Sequence, residues 1–127
     1  MFSLDFTSRK PIYEQVYESV IRYTALGAFA PDDKLPTVRA MAAELGINPN
    51  TVAKAYQMLE RDGYIYSAAG RGSFISGKLS AQDAQRIIAV DKFTEAVKNA
   101  VMLGVGKEQL NSIIDDAYKS TGGGGNA

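Results

Sequence analysis

Asn48-Pro49-Asn50-Thr51-Val52-Ala53-Lys54 is the stretch on which the reading of this chain turns. Asn48 is a good helix N-cap, and Pro49 fits the first helical position, where its missing N–H costs nothing. Behind that cap, Val52, Ala55, Tyr56 and Leu59 recur at i, i+3, i+4 and i+7 and mark an apolar face. Asn50, Thr51 and Lys54 share the polar face, so the helix opens on a polar turn that carries a cation.

Upstream, Thr37 caps a shorter helix whose apolar set is Val38, Met41, Ala42 and Leu45, and Gly46 ends it. The helix at Asn48 follows at once, so two short amphipathic helices meet at a tight glycine turn, the signature of a helix-turn-helix. Before it, Pro11 to Leu26 predicts a first helix, with Ile12, Val16, Val20, Tyr23 and Leu26 near one face and Gly27 as the stop. Ala30 to Pro36 reads as a turn-rich connection, and the alternation of Phe2, Leu4 and Phe6 predicts a short edge strand.

Downstream, Gly63 stops the third helix. Tyr64–Ser67 and Ser73–Ser76 are rich in strand formers and flank the small loop Ala68-Ala69-Gly70-Arg71-Gly72, which predicts a hairpin. Helix, helix-turn-helix and hairpin in that order make a winged helix-turn-helix over residues 1–76. Ser76 to Leu79 is a linker, and Ser80 with Asp83 resembles a capping box. Ala81 to Leu103 then reads as one helix about 35 Å long. Its apolar side carries Ile87, Val90, Phe93, Val97 and Val101. After Gly104-Val105-Gly106, Lys107 to Lys119 forms a last helix with Leu110, Ile113, Ile114, Ala117 and Tyr118 at helical spacing.

Those last helices cannot bury their stripes on each other alone. Residues 77–121 are therefore expected to form a two-helix dimerisation hairpin, its interface built from Ile87, Val90, Phe93, Val97, Val101, Leu110, Ile113, Ile114 and Tyr118. The glycine-rich tail 122–127 is expected to be disordered. The fold class is mainly α with a small β-hairpin.

Composition narrows the chemistry. Cysteine and histidine are both absent, which removes thiolates, disulfides, the commonest general base and the commonest metal ligand. The acidic pairs Asp32-Asp33 and Asp115-Asp116 stand without a third acid, so no catalytic site, metal or cofactor is expected and the chain does not read as an enzyme. No apolar run approaches the ~20 residues of a membrane span, and Met1 to Asp5 lacks a signal peptide's basic start, so a cytoplasmic chain is expected. Net charge is zero, and residues 1–78 hold nine Lys and Arg against eight Asp and Glu. Nucleic-acid binding would then rest on a local patch, doubled by a dimer.

The helix-turn-helix supplies that patch. A polar, cationic first turn behind a short helix is how a major-groove recognition helix looks. Asn50, Thr51 and Lys54 would face bases or phosphates, with Asn48 near the backbone; the plainer account is that Asn48 and Thr51 only satisfy helix-terminal N–H groups and Lys54 is solvated. Arg39 stands in a helical first turn, where the macrodipole slightly disfavours a cation, so a phosphate or guanine contact would explain it and a nearby acid is the alternative. Thr37 can cap and also bond a phosphate. In the hairpin loop, Gly70 and Gly72 would let the backbone approach a minor groove with Arg71 inserted or on a phosphate, or would simply serve a turn that needs positive φ. Arg61 suits the end of its helix, and Tyr13, Tyr17 and Tyr23 read as packing residues. A winged helix serving as a protein-interaction module is the rival, distinguishable by salt dependence.

Read together, Leu35 to Ala42, Leu45 to Val52, Ala55-Tyr56, Leu59, Gly63 and Gly70 to Ile75 resemble the DNA-binding signature of the GntR family of bacterial transcription regulators. Pro11-Ile12-Tyr13-Glu14-Gln15, the Asn-Pro-Asn-Thr-Val form and a two-helix C-terminal region look like its YtrA subfamily. The resemblance implies a homodimeric repressor on double-stranded DNA bearing an inverted repeat, often beside genes for a membrane transporter. It carries DNA contact to Thr37, Arg39, Asn48, Asn50, Thr51 and Gly70 or Gly72. Several members place arginines where Pro49 and Ala53 stand here, which shifts weight onto Asn50 and Lys54. Larger members add a ligand-binding or aminotransferase-like domain for which this chain is expected to be too short, and the effector is left open.

Overall fold

Helix α1 (Ile12–Ala25) starts behind Pro11, α2 (Val38–Leu45) behind Thr37 and α3 (Pro49–Arg61) behind Asn48, in a computed structural model that describes residues 2–121. The tail 122–127, expected to be disordered, lies outside the described residues. Strands β1 (Ile65–Ala68) and β2 (Gly72–Ile75) form an antiparallel hairpin in which Ile65 faces Ile75 and Ala68 faces Gly72. Two further helices follow, α4 (Ala81–Met102) and α5 (Lys107–Ser120). The expected order of elements holds, with the strands displaced by about one residue from the expected bounds, as is usual at strand ends.

One core joins α1, α2, α3 and the hairpin. Val16 and Val20 of α1, Met41 and Ala42 of α2, Val52, Ala55, Tyr56 and Leu59 of α3, and Ile65 and Ile75 of the hairpin are all buried, with Leu35 and Phe2 closing the cluster. Burying a side chain of this size stabilises the fold by about 1.5–3 kcal/mol, so the apolar stripe on α3, turned toward both other helices, dominates the packing.

Gly46 makes the turn between α2 and α3. Its φ of 68° is left-handed, and Ile47 N–H reaches back to the Ala42 carbonyl at 3.0 Å to close the end of α2. An added Cβ would meet no atom within 4 Å, so the demand is conformational rather than steric. Gly46→Ala is expected to destabilise the protein by about 1–2 kcal/mol, the cost of a left-handed L-residue. A drop in Tm would register it, and an unchanged Tm would count against this account of the turn.

The structure corrects three expectations. Phe2, Leu4 and Phe6 form no strand: Phe2 is buried, edge-on to Tyr23 with ring centroids 4.8 Å apart, while Phe6 is exposed. The Ala30–Pro36 connection does pair. Asp32 N–H donates to the Ile75 carbonyl at 2.7 Å, Ile75 N–H to Asp33 at 2.9 Å and Leu35 N–H to Ser73 at 2.9 Å. This segment occupies the second edge of β2. Leu26, expected on the buried face of α1, is 52% exposed, because the helix has ended and Leu26 is its C-cap.

The chain divides into two compact units, 1–88 and 89–127, with the division inside α4. Ser80 caps α4 by accepting from Asp83 N–H at 3.0 Å, while the Asp83 carboxylate pairs with Arg86 at 3.3 Å. No residue of α4 or α5 is fully buried. Along the expected interface, Ile87, Val97, Leu110 and Ile114 are half-buried, and Val90, Phe93, Val101, Ile113 and Tyr118 are exposed.

Candidate nucleic-acid interface

The first turn of α3 is built by its cap. Asn48 Oδ1 accepts from Asn50 N–H at 2.8 Å, which holds the side chain in place and leaves its amide NH₂ open. Asn50 and Lys54 are exposed; Thr51 is half-buried at the margin of the buried stripe rather than fully on the polar face. Gln57, which local reading passed over, is exposed at i+7 from Asn50, in line with Lys54. The same spacing that located the core face contained that signal. Lys54 Nζ lies 3.9 Å from the ring centroid of Tyr13 on α1, so its ammonium has a resting place at the edge of the helix face.

Thr37 Oγ1 accepts from Ala40 N–H at 3.1 Å, as a cap should. Arg39 is exposed, and no acid or acceptor among the described residues pairs with it. The ion pair that would have explained it structurally is absent there. Residues 34–37 are held from both sides: Leu35 is bonded to β2, and the Tyr56 hydroxyl of α3 donates to the Pro36 carbonyl at 2.7 Å. Burial raises the Tyr56 pKa, which keeps the phenol a donor. Helix α3, the start of α2 and the hairpin are thus fixed to one another through this short segment.

At the hairpin tip, Arg71 N–H donates to the Ala68 carbonyl at 2.9 Å, and Gly70 (φ 73°) and Gly72 (φ 117°) take conformations that other residues resist. Turn geometry therefore accounts for both glycines. Arg71 itself is exposed and unpaired among the described residues. Sequence reading also missed Lys34, whose side chain lies against Gly72. No local pattern points to that contact.

Arg61 belongs to structure rather than to the polar face. Its guanidinium holds Asp62 at 2.9 and 3.2 Å, and the Tyr17 hydroxyl donates to the same carboxylate at 2.5 Å. The Arg61 and Tyr17 hydrogen bonds hold the Asp62 carboxyl down at about 2, below its ordinary 3.8. A carboxyl with a depressed folded pKa stabilises the fold above its unfolded pKa, and that stabilisation is lost as pH falls through the folded value. The Tm advantage of the protein over Asp62→Asn is therefore expected to be constant near neutrality and to vanish between about pH 4 and pH 2. A pH-independent difference would contradict this.

Among the described residues, no group of three acids comes together that could hold a metal ion, and no helix is long and apolar enough to cross a membrane.

The sequence profile described as bacterial regulatory proteins, gntR family, matches residues 12–75. The chain belongs to this family. It is 35% identical over 126 residues to the HTH-type transcriptional repressor YtrA of Bacillus subtilis, covering 98% of this chain and 97% of that one. The fold is similar to YtrA from Sulfolobus acidocaldarius, a GntR-family transcription factor, with a TM-score of 0.58 and 32% identity over 73% of this chain and 97% of the other. It is also similar to the AraR DNA-binding domain in complex with operator ORE1, with a TM-score of 0.52 and 30% identity over 60% of this chain and 93% of that one. The YtrA-type, winged-helix reading of the sequence is borne out.

Proposed function

We propose that the protein is a sequence-specific DNA-binding transcription regulator, a repressor whose homodimer sets one winged helix on each half of an inverted-repeat operator. Arg39 carries this reading. It stands in the first turn of α2, where the macrodipole gives a cation no welcome, and no acid among the described residues neutralises it. A phosphate or a guanine edge would supply what the fold omits. Asn50 and Lys54 on α3 and Arg71 at the hairpin tip extend the same polar surface, with Thr37, Asn48, Thr51, Gly70 and Gly72 shaping the turns that present it. The operator-bound AraR domain and the YtrA repressor support the assignment by kinship.

Dimerisation is the second part of the proposal. Helices of 22 and 14 residues without one fully buried side chain lack the tertiary packing of an apolar face that supplies most helical stability in proteins. A second copy would cover Val90, Phe93, Val101, Ile113 and Tyr118. The protein would act in the cytoplasm on double-stranded DNA, as a binding protein rather than an enzyme. Selection of duplexes from a random pool, followed by gel shifts, tests the reading. The expected product is an inverted repeat whose half-sites lie one helical turn, about 10 bp, or a multiple apart. Failure to enrich any duplex, with binding insensitive to salt, would overturn it.

A further inference from the structure

Lys34 reaches the hairpin from outside it. Its backbone bridges to Phe74 of β2, and its side chain then runs across Gly72 at the hairpin tip. Lys34 Cε lies 2.9 Å from where a Cβ on Gly72 would stand, and Nζ lies 3.8 Å from the same point. The missing side chain at Gly72 is the gap that the lysine stem fills, so the ammonium emerges beside the residue that follows Arg71. The neighbouring acids are engaged elsewhere. Asp32 Oδ1 accepts from the Tyr66 hydroxyl at 2.7 Å, and Asp33 Oδ2 accepts from Ala30 N–H at 2.8 Å. Lys34 is exposed and has no ion pair among the described residues.

We infer that Lys34 is an additional cationic contact of the wing, presented through the Gly72 gap to the phosphate backbone next to Arg71. This rests on the DNA-binding reading above. A lysine with a backbone-anchored root, a stem packed on glycine and no counterion offers a point charge to a polyanion at a reduced entropic cost. Such a contact positions the wing and carries no base information. In a chain with zero net charge, each local cation weighs more in the total attraction.

The test is fluorescence anisotropy of the full chain on a mixed-sequence duplex and on a duplex selected from the random pool, across a salt series. Lys34→Met keeps the apolar stem over Gly72 and removes the charge; Lys34→Arg keeps the charge. Lys34→Met is expected to weaken both duplexes by the same factor and to lower the slope of log affinity against log salt by about 0.9 per protomer. Between about 50 and 200 mM salt, the advantage of the unmodified protein should shrink by about threefold per protomer. Lys34→Arg should retain the slope. An unchanged slope in Lys34→Met, alongside weakened binding in Arg39→Ala, would overturn the Lys34 contact alone. Absence of salt-dependent duplex binding by the unmodified protein would overturn the DNA-binding reading and the Lys34 contact with it.

Discussion

Phe93→Glu is expected to convert the protein to a monomer and to lower its apparent affinity for an inverted-repeat operator by about 10²–10⁴-fold, the avidity a linked second site supplies. Phe93 is 52% exposed in the single chain, so a glutamate there is solvated in the monomer and costs the fold little. In an interface the same carboxylate would be buried without a partner, which costs several kcal/mol. Sedimentation should show the change in mass, and circular dichroism should show the winged helix intact. Half-site binding should persist weakly, because Arg39 and the α3 surface are untouched. A variant that stays dimeric with unchanged operator affinity would remove α4 from the proposed interface.

Arg39→Ala should separate binding from stability. If Arg39 bonds a guanine edge, its loss costs about 1–3 kcal/mol per half-site, and both half-sites of a dimer lose it. Affinity should then fall by about 5- to 150-fold for each half-site, with discrimination relaxed at the base it reads. Stability should move the other way. Alanine is the better helix former, and removing a cation from the first turn of α2 relieves an unfavourable dipole contact, so Tm should hold or rise slightly. Gel shifts on the selected duplex with a parallel melt measure both. Wild-type affinity in the variant would sink the contact, and a lowered Tm would reassign Arg39 to structure.

The candidate surface was legible where it depended on neighbours in sequence. Thr37 and Asn48 cap their helices with bonds of 3.1 and 2.8 Å, as their residue types before apolar-periodic runs imply. Arg39 stands out as a candidate because a helical first turn disfavours a cation, and Arg71 because its loop joins two strands behind a helix-turn-helix. Thr51 was placed too far toward the polar face, since residue type outweighed its angle on the helix. Lys34 was not legible: its meaning depends on Gly72 across a backbone bridge to β2.

Caps, glycine stops and apolar periodicity therefore determined the elements and their order, because each is a bargain struck within one or two helical turns. Tertiary structure decided what the elements do to each other. It placed Asp32 to Leu35 on the second edge of β2, and it packed Phe2 into the core rather than into a strand. It tied Tyr56 to the Pro36 carbonyl and Tyr17 to Asp62. It also left α4 and α5 without a core. Alternation and helical spacing say which side chains face together, but a strand needs an open edge and a stripe needs a partner. Only packing distributes those among segments distant in the chain.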